Sequence, residues 1–275
     1  ISTEVKVIES LKEQGIDKKD LGREGFLEKV WEWREEYGSR IIKQLKKMGS
    51  SADWDRERFT MDEGCSKAVQ EVFIKLHKKG YIYKGLKSVY WCPEDRTALA
   101  EAEIEYAEDE CDSIFVRFAV TDDPNGVLAA HGIPAGKAWF VIWTTTTWTL
   151  PANVAICLGP EFDYVFVKVG EDYHVMAEAL VKSTMEACGI TEYEVVGQPV
   201  KGRELERMQV QHPFLDRRSL VILGDHVTLE SGTGCVHTAP GHGVEDFDVC
   251  AKFYPELPVV VPVDDGGRLT EEAGQ

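Results

Sequence analysis

The sequence predicts an α+β protein in which a β-rich, barrel-like domain decorated by helices follows a helical segment. Three observations lead to this reading. Up to about Gly80, apolar residues recur at helical spacing in a heavily charged background. Beyond Tyr81, short aromatic and β-branched runs are separated by Gly, Pro, Asp and Asn. The 275 residues, 43% hydrophobic, suffice for one large or two modest cores. Many strands with few helices point to a compact barrel or strongly bent sheet. The change of texture between Lys84 and Cys92 divides the chain into residues 1–90 and 91–275.

In chain order, Phe26, Leu27, Val30, Trp31 and Trp33 mark a first helix, and Ile41, Ile42, Leu45 and Met48 mark a second that ends at Gly49. A third covers Ser66 to His77, where Ala68, Val69, Val72, Phe73 and Leu76 form one apolar face before Gly80. Strands are then expected in YIYKGLKSVYW, SIFVRFAV, AWFVIWTTTTW, DYVFVKV, YEVV and SLVILGDHVTL. One further helix runs from Met176 to Cys188 and is closed by Gly189.

Charge and cysteine content narrow the function. A formal charge of −17, from 48 acidic against 31 basic residues, argues against a broad nucleic-acid-binding face, so any RNA contact should be local. The seven cysteines are scattered and form no C-x-x-C pair, as expected of a reducing cytoplasm. No apolar run approaches the roughly 20 residues needed to span a bilayer. A soluble, cytoplasmic monomer is expected. Ile1 is not an initiator Met and the last residues are polar, which suggests a piece of a longer chain.

Two stretches carry chemistry. In Trp143–Asn153, WTTTTWTLPAN, consecutive hydroxyls and N–H groups at a strand end can cradle a ribose or a carbonyl, although Thr, Trp and Pro also suit an ordinary strand terminus. In Gly232–Phe247, GTGCVHTAPGHGVEDF, the glycines match neither a dinucleotide-binding nor a phosphate-binding loop. His237, His242, Asp246 and Asp248 could also be metal ligands, but a lone His in a strand is more often a satisfied core residue, and no metal and no cofactor is expected.

Taken together, WTTTxWTLPAN and GTGxVHTAPGHGxxD resemble the editing insertion of isoleucyl-tRNA synthetase, a class I enzyme. Lys84–Lys87, Val89–Pro93 and Thr97–Tyr106 resemble that family's entry into the insertion, and Pro262–Asp265 its end. Within residues 1–80, Leu21–Glu24, Phe26–Trp33 and Asp53–Gly64 look more like valyl-tRNA synthetase. The editing motifs follow the isoleucyl pattern, with His237 where the valyl family usually has Lys.

The resemblance implies a helical part of the synthetase catalytic domain followed by an editing domain that deacylates Val-tRNA(Ile). The partner would be a tRNA 3′ acceptor end carrying a wrong amino acid. No HIGH-type or KMSKS-type signature occurs, His131–Pro134 being only superficially similar to the first, so ATP would be used only by a synthetase domain outside this sequence. The resemblance gives Asp246, Thr145, Thr146 and His237 the catalytic positions and Thr144, Trp148, Thr149, Asn153 and His242 the substrate-binding ones. Asp246 would hold the α-ammonium, the Thr run would contact the terminal adenosine and the ester, and His237 would read side-chain size. With no nucleophile in evidence, water is the expected attacker.

A second sieve is needed because one methylene separates valine from isoleucine by only about 1–3 kcal/mol, a magnitude for which these synthetases are the standing example. Thr147 departs from the family's Pro and could loosen the cradle. Asp95 replaces the second Cys of a C-x-x-C that begins at Cys92 in some relatives, so no structural zinc is expected. Thr-tRNA(Val) editing, a non-catalytic module for the acceptor end, and a metal-dependent hydrolase through His237, His242 and Asp246 are the alternatives.

Overall fold

The computed structural model describes residues 2–274, which divide into two compact units, one running to Lys84 and the other from Gly85 onward. The first unit holds α1 (Ser2–Glu13), α2 (Lys18–Tyr37), α3 (Arg40–Lys47) and α4 (Glu63–Lys78). Asp17 caps α2 by accepting from the Lys19 N–H at 2.8 Å, and Gly22, at φ 64°, kinks the helix. A small core forms where Val7 and Leu11 of α1 meet Phe26 of α2. Of these helices α1 was not expected, because its apolar stripe is only a few residues wide in a run of charges. The apolar face expected on α4 forms, yet Val69, Val72 and Phe73 are each more than half exposed.

The second unit begins irregularly. No strand forms over residues 81–89, and the first ladder is the hairpin of β1 (Tyr90–Cys92) and β2 (Thr97–Leu99). The remaining strands are β3 (Ile114–Asp122), β4 (Ala138–Thr144), β5 (Ala155–Leu158), β6 (Asp163–Val169), β7 (Asp172–Ala177), β8 (Glu194–Lys201), β9 (Gln209–Gln211), β10 (Arg218–Leu223) and β11 (Cys235–Thr238). The helices are α5 (Val127–Ala130), α6 (Val181–Ala187) and α7 (Val244–Phe253). The strands make one mixed sheet in the order β11-β5-β10-β9-β3-β4-β7-β6-β8, with β10/β5 and β4/β7 parallel.

The sheet is curled, since β11 also lies against β4, but among the described residues it is not a closed barrel. Its two edge strands explain why. β11 has four residues, while β8 carries Gly197 at φ 78° and Pro199, which has no N–H to give a further ladder.

Both faces of the central strands are covered. Phe140 and Ile142 of β4, Ile156 and Leu158 of β5, and Tyr164 and Phe166 of β6 fill the interior. The alternate residues Val141, Val165 and Val167 meet Val181 and Met185 of α6, while Ala155 and Cys157 meet Val249 and Cys250 of α7 and Tyr254 just after it. Such strands read as continuous apolar runs, as DYVFVKV does.

Three expectations change here. The helix expected from Met176 begins later, because Asp172–Ala177 is strand β7, paired with β6, and α6 starts at Val181. The strand in SLVILGDHVTL stops at Leu223, where Gly224 takes the chain into a loop. The second motif, for which no helix was expected, runs at its end into α7, announced by Glu245 and Asp246 in the first turn.

Candidate functional site

The first motif straddles the end of β4. Its strand ends at Thr144, whose buried Oγ1 accepts from the Thr146 N–H at 3.0 Å, and Thr145 to Trp148 are exposed. A 3-10 turn then spans Thr147–Ala152. Within it the Thr149 N–H donates to Thr146 O at 3.2 Å, and the Asn153 N–H closes the turn on Leu150 O at 2.9 Å. Thr147 therefore opens the turn without a proline at its own position, Pro151 lying further along it.

The two motifs meet through His237 on β11. Asn153 is completely buried and its Nδ2 donates to Ala155 O at 2.8 Å and to His237 Nδ1 at 2.7 Å. Its Oδ1 accepts from Ser219 Oγ at 2.6 Å. With Nδ1 used as an acceptor, the His237 proton resides on Nε2, which donates to Thr149 Oγ1 at 3.0 Å, and Thr149 passes its own proton to Thr146 O at 2.8 Å. The result is a one-directional chain from Ser219 through Asn153, His237 and Thr149 to the Thr run. Both ring nitrogens are occupied, so the ring is a fixed wall rather than a proton acceptor.

Burial, reinforced by His212 and His242, pushes the His237 ring down to about 4. Protonation would also place a second donor against Asn153 Nδ2. His237 is therefore neutral in the fold while an unfolded chain takes up a proton near 6.5. Its contribution to stability is fully present above about pH 6.5 and is lost as pH falls toward 4, levelling off below that value, a loss of up to about 3 kcal/mol. Urea melts of the wild-type chain and of His237→Gln between pH 7.5 and 4.5 measure it: the variant is expected to show the shallower decline.

The turn is anchored from below by residues that the sequence reading did not single out. His212 Nε2 donates to Leu150 O at 2.9 Å, its Nδ1 accepting from Leu215 N at 3.1 Å, and an Arg217 Nη2 donates to Pro151 O. Ser219 and His212 are polar residues buried in or beside apolar strands, and that burial is what the sequence does not display.

Trp148 and His242 form a second pair, edge-on with ring centroids 5.1 Å apart. Two adjoining clefts of about 370 and 610 Å³ open beside His242; Tyr90, Trp91 and Val261 line both, and Trp148 the larger. Neither Thr145, Thr146, His237 nor Asp246 lines them.

Asp246 stands apart from the His237 network. It lies in the first turn of α7, and its Oδ2 accepts from the Ala239 N–H at 2.8 Å, just past the end of β11. Gly243 makes room for this, because a Cβ there would come within 2.7 Å of Oδ2. Burial pushes the carboxyl upward; the Ala239 bond and His226 pull against that shift. Among the described residues no group of three or more His, Cys, Asp or Glu side chains is arranged to hold a metal ion. Cys92 and Asp95 face each other across the β1–β2 hairpin, where the Asp95 N–H donates to Cys92 Sγ at 3.4 Å.

Comparison with known proteins adds the family context. A family model described as tRNA synthetases class I (I, L, M and V) matches residues 1–206. An isoleucine-tRNA ligase of Caldicellulosiruptor saccharolyticus is 48% identical over 265 residues, covering 96% of this chain and 28% of the relative. That of Moorella thermoacetica is 45% identical over 269 residues, 97% of this chain and again 28% of the relative. These matches take in the helical N-terminal segment as well, and the chain spans little more than a quarter of the length of such relatives. Among solved structures, the crystal structure of GlLeuRS-CP1 has a TM-score of 0.45 at 15% identity, covering 52% of this chain and 62% of that one. The Plasmodium knowlesi cytosolic leucyl-tRNA synthetase editing domain has 0.43 at 12% identity, covering 55% and 67%.

Proposed function

The chain belongs to the class I tRNA synthetases of the I, L, M and V group, and on that footing we propose that it carries hydrolytic editing, the deacylation of Val-tRNA(Ile). The observation that supports this most is the hydrogen-bonded chain in which Asn153 and Thr149 of one motif clamp His237 of the other. A rigid, uncharged ring beside the Thr run suits a size filter. In this reading it admits valine and excludes the extra methylene of isoleucine.

In this reading the tRNA 3′ end lies along Thr144, Thr145 and Thr146, where the exposed hydroxyls of Thr145 and Thr146 bind the terminal ribose and the ester and Thr144 Oγ1 holds the Thr146 N–H in place. Trp148 and His242 present an aromatic edge for the adenine. The α-ammonium pairs with Asp246 through Oδ1, since Oδ2 is taken by Ala239. Water attacks the ester carbonyl; its oxygen forms the new bond to the acyl carbon, the ribose oxygen departs with a proton, and the oxyanion is met by the donors of the Thr run.

The substrate class is tested by offering Val-tRNA(Ile) and Thr-tRNA(Val) separately to the purified chain. Faster loss of valine supports the isoleucyl-type assignment. Faster loss of threonine selects valyl-type editing, and binding of either tRNA without turnover selects a non-catalytic module for the acceptor end.

A further inference from the structure

Asp246 has a neighbour that none of the motifs contains. His226 sits in the connection after β10, with its side chain only 22% exposed, and its Nε2 is buried without a hydrogen-bond partner. That nitrogen lies 4.0 Å from Asp246 Oδ1, about 1 Å beyond hydrogen-bond reach, and Oδ1 is the carboxylate oxygen that Ala239 leaves free. The ring is folded against its own loop. A Cβ on Gly224 would meet His226 Cε1 at 2.7 Å and Nδ1 at 2.8 Å, so glycine there is a condition of the ring's placement.

The other groups facing Asp246 are Glu245 on its own helix, Cys250 one turn further along it, and Cys157 on β5. The two thiols are held neutral by burial, and Glu245 repels. His226 is therefore the one neighbour among these that can donate to, or place a positive charge on, the free oxygen. It also lines a cavity of about 350 Å³ with Trp143, Thr233 and Glu245, so the ring has space to swing.

We propose that His226 is a positioning residue for Asp246, its neutral ring steering Oδ1 toward a bound primary ammonium and its imidazolium form competing with that ammonium for the same oxygen. This rests on the reading of Asp246 as the ammonium's counter-ion. A competing internal cation acts on substrate binding, so the effect belongs in KM more than in kcat.

The test is kcat/KM for Val-tRNA(Ile) from pH 5.5 to 8 with wild type, His226→Gln and His226→Ala. Gln keeps a donor near the position of Nε2 but cannot charge. H226A is expected to lose about tenfold at pH 8, chiefly through KM, and H226Q a few-fold. The wild-type curve should fall more steeply toward pH 5.5 than that of H226Q, substrate titration being common to both. An identical acid limb in H226Q, or full activity in H226A, overturns the proposal. An NMR titration of the His226 ring in wild type and Asp246→Asn needs no turnover: the ring is expected to titrate at lower pH in D246N, and no change overturns the coupling. If wild type deacylates neither substrate, the editing reading fails, and the NMR comparison still decides whether the two residues are coupled.

Discussion

Asp246→Asn is expected to lower kcat/KM for deacylation of Val-tRNA(Ile) by about 10²–10⁴-fold, since removing one partner of a largely buried charge pair costs about 3–5 kcal/mol. The carboxylate is only 15% exposed, so a substrate ammonium placed beside it loses water that only the negative charge can replace. Asn is the informative variant, because its Oδ1 can still accept from Ala239 N–H and its volume leaves Gly243 undisturbed. The fold should survive, so the loss is to be measured as single-turnover deacylation beside an unchanged circular dichroism melt. Asp246→Ala would lose the Ala239 acceptor as well, and a fall in its melting temperature would mix the two effects.

Asn153→Ala is expected to be the most destabilising of the substitutions considered. Three hydrogen bonds go at once, leaving Ala155 O, Ser219 Oγ and His237 Nδ1 without their partner in a fully buried place. At about 1–3 kcal/mol for each of the three groups left unsatisfied, the loss is about 3–9 kcal/mol. For a unit of this size that is about 10 °C or more in melting temperature. The same change frees the His237 ring to rotate, so discrimination should fall with stability: Ile-tRNA(Ile), protected from the wild-type chain, becomes a substrate for whatever folded protein remains at low temperature. Thermal melts followed by deacylation assays at about 10 °C separate the two effects.

The parts legible in the sequence were those set by local pattern. The change from helical to strand spacing, the apolar runs of β3, β4 and β6, and the polar end of β4 follow from residue types a few positions apart. What sequence could not display is burial at a distance. Ser219 and His212 look like ordinary strand and loop residues until the sheet brings them under the turn at Leu150–Asn153. His226 lies in a stretch that reads as the tail of a strand, and only the meeting of the β10–β11 connection with α7 sets it beside Asp246. Of the barrel or strongly bent sheet expected from strand count, the curled open sheet formed, because closure depends on the two edges, and a four-residue β11 and a proline-bearing β8 do not meet. The helix α7 was hidden by the glycines that precede it, although its acidic first turn was a usable signal.

The measurement that bears most directly on the whole account is the rate at which the purified chain releases valine from Val-tRNA(Ile) and isoleucine from Ile-tRNA(Ile), in parallel at pH 7.5. A site walled by a neutral, doubly hydrogen-bonded His237 predicts that valine is released at least about tenfold faster, the discrimination a single methylene supplies. Equal release of both amino acids, or release of neither, would contradict it.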